Sequence, residues 1–219
     1  MKDAMPVPPD VDPPVRGTYR HGDLRRALLD AGIALARDGG PDAVVLREAT
    51  RRAGVVPNAA YRHFASRLAL LQAVRAAALA DVARAMEKEL ASVHSETDPL
   101  ARARAGVRAV GTGYLRFAQA ETGLFRTAFA TSVDVGDAPN EAKSGDSGLN
   151  PYGLLSAALD RLVDAGGMPP DHRPGAEFLA WSAVHGMALL IIDGPLRGMP
   201  AEQLGALGQR LLDMVEKGL

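Results

Sequence analysis

The sequence predicts an all-α protein, on the evidence of its apolar residue types, their spacing and the residues that separate them. The 219 residues include 39 Ala and 27 Leu against 17 Val and 3 Ile. Ala and Leu favour helices, whereas sheets are rich in β-branched and aromatic side chains. Apolar residues recur three or four positions apart, and Gly and Pro separate the runs. We therefore expect nearly all of the chain to be helical.

Glycine and proline divide the N-terminal third of the chain into three predicted helices. The first begins near Asp23, whose side chain can cap it, and stops at Gly39-Gly40-Pro41. A short helix over 46–53 follows, and Pro57 opens a third helix that ends near Phe64. Two short helices joined by a tight turn that contains glycine are the signature of a helix-turn-helix.

Six more helices are predicted for the remainder of the chain. Ser66 is suited to cap the first of them, and Pro99 opens the second. Residues 131–150 are polar and glycine-rich, and we expect a mobile loop there. The expected ranges of the six helices are 67–92, 99–120, 121–130, 151–166, 174–193 and 201–217.

The helix predicted over 174–193 is apolar on two faces. One face holds Phe178, Trp181, His185, Leu189 and Ile192, and the other holds Leu179, Ala183, Gly186 and Leu190. A helix that is apolar on both sides must be covered on both sides, and we expect a second subunit to supply one cover. Together with the helix over 201–217, it is expected to form a four-helix dimer interface through Phe178, Leu189, Ile192, Leu204, Leu207, Leu211 and Val215.

Charge is distributed unevenly, although the net charge of the chain is −1. Residues 16–75 hold 11 Arg and 5 acidic residues, a net charge of +6. Residues 76–219 carry −5, and residues 1–15 carry −2. Charge alone leaves two interpretations of the basic segment, a surface that meets a polyanion or a solvated helix face.

Composition argues against several kinds of site and location. The chain has no Cys, which excludes disulfides, thiolate metal ligands and a Cys nucleophile. No two of the five His lie one helical turn apart, and we expect neither a metal site nor a cofactor. No apolar run is long enough to span a membrane, and residues 1–16 are rich in Pro and Asp. We expect a disordered tail over 1–16 and a cytoplasmic protein.

One short motif admits a catalytic interpretation. In Gly145-Asp146-Ser147-Gly148, a serine close to glycines can be exposed for attack on a substrate. A nucleophile also needs a positioned base and oxyanion donors, and no strand is predicted before this serine. A flexible linker is the better interpretation, and we expect no enzymatic activity.

Longer motifs occur in both halves of the chain. The N-terminal motifs are Tyr19-Arg20-His21-Gly22-Asp23-Leu24-Arg25, Leu46-Arg47-Glu48, Arg52-Ala53-Gly54-Val55 and Pro57-Asn58-Ala59-Ala60-Tyr61-Arg62-His63-Phe64. The downstream motifs are Tyr114-Leu115-Arg116-Phe117-Ala118, Leu124-Phe125-Arg126 and Trp181-Ser182-Ala183-Val184-His185-Gly186. Over about 17–217 the chain resembles TetR/AcrR-type transcriptional regulators, in the subgroup named after a Trp-His-Gly signature in the C-terminal domain.

This resemblance implies a homodimeric bacterial repressor. It places a helix-turn-helix DNA-binding domain at 17–66 and a ligand-binding and dimerisation domain at 67–219. The recognition helix would enter the major groove of a palindromic operator in double-stranded DNA, and a small hydrophobic effector would release the protein. The residues expected at the DNA are Arg47, Arg51, Arg52, Pro57, Asn58, Ala59, Tyr61, Arg62, His63 and Arg67.

The residue types in the helix-turn-helix also suit nucleic acid on chemical grounds. Arg, the Tyr hydroxyl and imidazole contact phosphates, and small or short polar residues near the start of the second helix read bases. Asn58 and Arg62 can reach base edges, and Ala59 can meet a thymine methyl group. The resemblance places Tyr61 and His63 at phosphate-contacting positions.

Five residues depart from the family pattern. Val45 and Val56 stand where Ser or Thr usually caps the two short helices, and a lost cap costs about 1 kcal/mol. Ala49 and Thr50 replace a bulky aliphatic residue followed by Ala, and Leu68 replaces Glu. These departures predict a less stable helix-turn-helix. They also keep open a second interpretation, a dimeric small-molecule binding protein whose DNA-binding part is weakened.

Apolar and aromatic residues at helical spacing in the C-terminal domain are expected in the core, and some are expected to line a ligand cavity. His185 keeps two interpretations, a buried or interface histidine with satisfied hydrogen bonds or a polar group that orients a ligand. A helical enzyme or a carrier is a further alternative, although neither accounts for 11 Arg in 60 residues. The candidates for the cavity are Met86, Val110, Tyr114, Phe117, Phe125, Phe129, Leu155, Trp181 and His185.

Overall fold

The computed structural model describes residues 21–93, 95–130 and 141–219. Across these ranges the chain is helical and contains no strand, which confirms the predicted all-α class. The tail expected over 1–16 lies outside the described residues. The helices in these ranges are α1 (His21–Ala43), α2 (Leu46–Arg52), α3 (Pro57–Tyr61), α4 (Arg67–Ala91), α5 (Pro99–Ala120), α6 (Thr122–Ala128), α7 (Pro151–Asp164), α8 (Ala176–Ile192) and α9 (Ala201–Gly218).

Side-chain caps fix the starts of three long helices. Ser66 before α4, Asp98 before α5 and Asn150 before α7 each accept a hydrogen bond from the backbone N–H three residues later. The distances are 3.1, 2.7 and 2.8 Å, respectively. A capping oxygen satisfies one of the backbone donors that a helix leaves unpaired at its N-terminus. The expected cap at Ser66 is therefore present.

The end of the first helical run follows the prediction. Gly40, within the predicted stop Gly39-Gly40-Pro41, has a non-helical backbone, and a separate short helical turn continues the range of α1 to Ala43. Gly40 has φ +71° and ψ −163°, a conformation that glycine adopts without steric cost. Pro41 then begins another helical turn, because its fixed φ suits the first position of a helix.

The helices form two parts that α4 connects. We call α1, α2 and α3 the head and α4 to α9 the body. Helix α4 begins beside the head, packs against α1, and continues along α5, α6 and α7. Helix α5 lies in the middle of the body, where α4, α7, α8 and α9 surround it.

The head docks on the body where α6 crosses α1. A Cβ atom added at Gly123 would lie 2.3 Å from the carbonyl oxygen of Ala36 and 2.4 Å from that of Arg37. Beside this contact, the Nε of Arg37 donates to an oxygen of Glu121 at 2.8 Å. The two backbones are therefore so close that only glycine fits in α6 at this point.

We predict that Gly123→Ala destabilises the protein by about 1–3 kcal/mol or more, because the new methyl group meets backbone atoms that cannot rotate away. Chemical denaturation followed by circular dichroism measures the change. Gly106→Ala is the matched control, since its Cβ would meet only a Leu90 methyl group at 3.9 Å. The control is expected to leave stability unchanged or to raise it. Equal effects of the two substitutions would contradict the packing argument.

Candidate nucleic-acid interface and internal cavity

Small residues allow α2 and α3 to cross closely. Ala49 on α2 and Ala60 on α3 are both fully buried. Thr50 is also buried, and its hydroxyl donates to the carbonyl oxygen of Arg47 at 2.6 Å. Because this buried hydroxyl has a partner, the head accommodates the departures at Ala49 and Thr50 without an unsatisfied polar group.

As predicted, neither α2 nor α3 has a side-chain cap at its N-terminus. Val45 before α2 and Val56 before α3 have extended backbones and no side-chain hydrogen bond to the helix that follows. Both side chains are exposed. The two short helices therefore depend on tertiary packing rather than on capping for their stability.

One face of α3 presents polar side chains to solvent. Asn58, Tyr61 and Arg62 are exposed, and 57% of Tyr61 is accessible. Ala59 and His63 are half-buried beside them. Arg62 makes no ion pair within the described ranges, so its charge is available to an external partner. On α2, the exposed Arg47 is likewise without an ion pair among the described residues.

Three other arginines expected at DNA are engaged within the head. Arg51 pairs with Glu48 at 2.6 Å, and a hydrogen bond from Arg51 lowers the pKa of that carboxyl. Arg52 pairs with Asp38 at 3.1 Å. Arg67 donates from Nε to the carbonyl oxygen of Val44 at 2.8 Å, which ties the start of α4 to the turn before α2. Arg67 thus positions α4 against the head. Its contact with DNA stays a prediction, as does that of Arg51 and Arg52.

A cavity of about 90 Å³ lies inside the body, between α4, α5, α7, α8 and α9. Its lining contains six of the nine residues predicted for it, namely Met86, Val110, Tyr114, Phe129, Leu155 and Trp181. Phe117 and Phe125 are buried outside the lining, and His185 stands behind Tyr114. The lining also contains residues that were not predicted for it, among them Arg75, Leu79, Tyr152 and Leu212. Arg75 shares a helical stripe with Leu79 and Met86, a signal that would have indicated it.

A chain of hydrogen bonds supports the wall of this cavity. The indole N–H of Trp181 donates to the hydroxyl oxygen of Tyr114 at 3.2 Å, and that oxygen lies 2.7 Å from Nδ1 of His185. The indole N–H can only donate. We therefore assign the Tyr114 hydroxyl as the donor to Nδ1 of His185, which places the imidazole's own proton on Nε2. Phe129 packs against this imidazole, with ring centroids 5.1 Å apart. His185 is thus half-buried, and its Nδ1 has a hydrogen-bond partner.

Burial shifts the titration of both partners in this chain of hydrogen bonds. It raises the pKa of the Tyr114 hydroxyl, because the phenolate would be charged in an apolar surrounding. It lowers the pKa of His185, because the imidazolium form is disfavoured there. The pair is therefore neutral at neutral pH.

The segment 144–149 is held by Glu87 of α4. The carboxylate of Glu87 accepts backbone N–H groups of Asp146 and Ser147 at 2.9 and 3.0 Å, and the Ser147 hydroxyl at 2.6 Å. Burial raises the pKa of Glu87, but these hydrogen bonds outweigh it and lower that pKa. The Ser147 hydroxyl is thus bound to a carboxylate, and this part of the expected loop is anchored. Residues 131–140 of that loop lie outside the described residues.

Helices α8 and α9 expose an apolar surface. Of the residues predicted for the dimer interface, Phe178 and Leu189 are exposed, and Leu207, Leu211 and Val215 are half-buried. Ile192 and Leu204 are only 6% and 8% accessible, because they pack in the core of their own chain. Val215 also lines the cavity. We call the following residues the apolar face: Phe178, Leu179, Leu189, Leu190 and Met214.

The described residues hold neither a membrane-spanning helix nor a cluster of metal-binding side chains. No helix in these ranges is long and apolar enough to cross a membrane. In the same ranges, no three His, Asp or Glu side chains come together as metal ligands would.

The fold and its sites define a helix-turn-helix regulator. Residues 28–74 match the model of bacterial regulatory proteins of the tetR family, and residues 107–215 match that of the tetracyclin repressor-like C-terminal domain. The chain therefore belongs to the TetR family, with a Trp-His-Gly type of C-terminal domain. No curated protein matches it.

Solved structures share this fold. A protein of unknown function from Rhodococcus sp. RHA1 is 27% identical with a TM-score of 0.71, over 93% of this chain and 99% of that one. The TetR family regulator PfmR from Thermus thermophilus is 21% identical with a TM-score of 0.53, over 88% and 98%. A single-residue variant of TetR from Acinetobacter baumannii AYE, in complex with minocycline, is 20% identical with a TM-score of 0.51, over 87% and 93%.

The lowered pKa of His185 predicts a pH dependence of stability. An unfolded His titrates near its ordinary value of about 6.5, so below that pH the unfolded chain binds more protons than the folded chain. The contribution of neutral His185 is therefore complete above about pH 6.5 and declines as the pH falls below it. Urea unfolding from about pH 7.5 to about pH 5.5 is expected to show a smaller decline in His185→Gln than in the unmodified protein. His172→Gln, at an exposed histidine, is the control. Identical slopes for the unmodified protein and His185→Gln would contradict the prediction.

Proposed function

We propose that this TetR family regulator binds a palindromic operator as a homodimer and is released from it by a small apolar effector in the body. The observation that carries the proposal is that α4 serves both the head and the cavity. At its start, Arg67 is bonded to the turn before α2, and Met86 near its end lines the cavity. A change in the cavity wall therefore acts on the helix that carries the head.

The exposed face of α3 supports the DNA-binding part of the proposal. In this proposal α3 enters the major groove, where Asn58 and Arg62 read base edges and Ala59 meets a thymine methyl group. Tyr61 at the end of α3 and His63 in the turn directly after it contact phosphates, and Arg47 does so from α2. The DNA-binding domain would then span 17–66, and the ligand-binding and dimerisation domain 67–219.

The apolar face of α8 and α9 supports dimerisation. Leu179 is 67% accessible and Leu190 is 45% accessible, on a helix whose other side is buried in the body. The surface at Gly186 and Gly205 is also open, since no atom lies within 4 Å of where a Cβ would be. A second copy can therefore approach closely and cover the exposed leucines. Two heads held in this way would reach successive major grooves about 34–36 Å apart.

Helix α6 supports the coupling between ligand and DNA. It packs against α1 at Gly123, and Phe129 directly after it lines the cavity. A ligand that displaces Phe129 would shift α6 and with it the docked head. Such a ligand changes the spacing of the heads only by binding one state more tightly than the other. The minocycline complex of the Acinetobacter baumannii protein is a precedent for a small molecule in this fold.

Repression is the mode that we propose, in the cytoplasm and without an enzymatic step. A second candidate function is a dimeric small-molecule binding protein whose head binds DNA weakly. The uncapped helices α2 and α3, which directly follow Val45 and Val56, favour this candidate, because a less stable head positions α3 less well. The two candidates differ in whether the chain binds specific DNA.

We predict that Arg62→Ala weakens binding to an operator fragment by about ten- to a hundredfold, the usual value of a base contact. Fluorescence anisotropy with fragments from around the protein's own gene measures this at two salt concentrations. For the unmodified protein, the logarithm of the binding constant is expected to fall linearly with the logarithm of the salt concentration. Arg161→Ala, which removes an exposed arginine from α7, is the matched control. Weak binding that is equal for all fragments and insensitive to Arg62→Ala would favour the second candidate.

We predict that Leu190→Glu converts the dimer into a monomer, because it places a charge within the apolar face. Sedimentation velocity measures the mass in solution. Leu68→Glu changes an exposed leucine in α4 beside the head and is expected to leave the dimer intact. Should Leu190→Glu remain dimeric, another surface must hold the two subunits together.

A further inference from the structure

The wall of the cavity contains basic residues, and none of its described lining residues is Asp or Glu. The basic residues are Arg75, Arg108 and Lys143. The other lining side chains are mainly apolar or aromatic. An apolar cavity with a few positioned polar groups recognises a ligand by those groups.

The two arginines differ in how they are engaged. Arg108 is neutralised, because its guanidinium lies 2.8 Å from a carboxylate oxygen of Asp213 and 3.6 Å from one of Glu216. Arg75 has no ion pair within the described ranges. Its Nε donates to the carbonyl oxygen of Ala128 at 3.0 Å. A carbonyl group carries no net charge, so the positive charge of Arg75 remains uncompensated.

The guanidinium of Arg75 has a free side for a ligand. Only Nε is used by the protein, and among the described residues no acceptor is bonded to either Nη group. A guanidinium binds a carboxylate through two parallel N–H groups, a geometry that a neutral group does not match. Arg75 can therefore hold the carboxylate of a ligand while it keeps its bond to α6 or gives it up.

The apolar part of the cavity extends away from Arg75. Leu79 and Met86 follow Arg75 on the same side of α4. Met86 lies about 16 Å from Arg75 along the helix axis. Tyr114 and Trp181 line the same space. Their polar atoms are bonded to each other and to the half-buried imidazole of His185, so this part offers a ligand mainly ring surfaces.

We propose that the cavity takes a small amphipathic anion, with its carboxylate on Arg75 and its apolar body against Tyr114 and Trp181. This inference rests on the proposed ligand-responsive function and names the chemical class of the effector. A carboxylate on the Nη groups shares the guanidinium with the Ala128 carbonyl and weakens the bond from Nε to that carbonyl. Because Ala128 is the last residue of α6, ligand binding loosens the end of the helix on which α1 is docked.

The test uses the full chain and its single tryptophan, Trp181, whose fluorescence reports on the cavity. The probes are 4-phenylbutyrate and 4-phenylbutan-1-ol, which share an apolar body and differ in the carboxylate. The acid is expected to bind at least about tenfold more tightly than the alcohol, as a charge-assisted hydrogen-bonded pair requires. Arg75→Met is expected to abolish this preference, and Arg75→Lys to retain part of it.

Arg102→Met is the matched control, because this exposed arginine of α5 lies outside the cavity lining and is expected to keep the preference. If Arg75 only braces α6, Arg75→Met lowers the melting temperature but leaves the ratio of acid to alcohol affinity unchanged. Three results would overturn the inference: equal affinity for acid and alcohol, a preference that survives Arg75→Met, or no saturable response to either probe. Should Arg75→Met fail to fold, the ratio in the unmodified protein and in Arg75→Lys decides.

The same samples separate this inference from the proposed function. Specific operator binding together with no preference for the acid would overturn the inference alone. The protein could instead show a preference for the acid that depends on Arg75 and no specific DNA binding. That result would support the inference and contradict the proposed function as a DNA-binding regulator. The acid is also expected to weaken operator binding by the unmodified protein more than the alcohol does.

Discussion

The close approach of α6 to α1 is the contact on which the arrangement of the two parts depends. Gly123 brings the backbone of α6 against the carbonyl groups of Ala36 and Arg37, where any side chain would collide. Close-packed elements move together rather than bend independently. Because Phe129 directly follows α6 and lines the cavity, the wall of the cavity and the docking site of the head belong to one rigid piece.

The buried hydroxyl groups of Thr50, Thr127 and Tyr114 have hydrogen-bond partners. The buried hydroxyl of Thr127 donates to the carbonyl oxygen of Gly123 at 2.8 Å, within the helix that docks the head. Tyr114 takes part in two hydrogen bonds in the cavity wall. An unpaired polar group in such positions would cost about 1–3 kcal/mol. In the wall, the ion pairs of Arg108 with Asp213 and Glu216 leave Arg75 as the arginine with charge to offer a ligand.

The order and starts of the helices were predictable, because these features depend on local chemistry. Ser66 caps α4 as expected, and Pro57 and Pro99 stand at the first positions of α3 and α5. The exact ends were less predictable. The third helix, predicted to end near Phe64, ends at Tyr61, since a helix end depends on tertiary contacts as well as on local sequence.

Local sequence patterns predict the helical class and the helix-turn-helix, together with the residue types available at each site. Packing decides which arginines are bonded within the protein: Arg67 is bonded to the turn before α2, whereas Arg62 makes no ion pair among the described residues. Packing likewise places Arg75 in the cavity and buries Ile192 and Leu204 within their own chain. The physical reason is that apolar periodicity defines a stripe more than about 100° wide. The rotation of each helix within that width is set by its neighbours, and it selects the side chains that face a cavity, a partner or solvent.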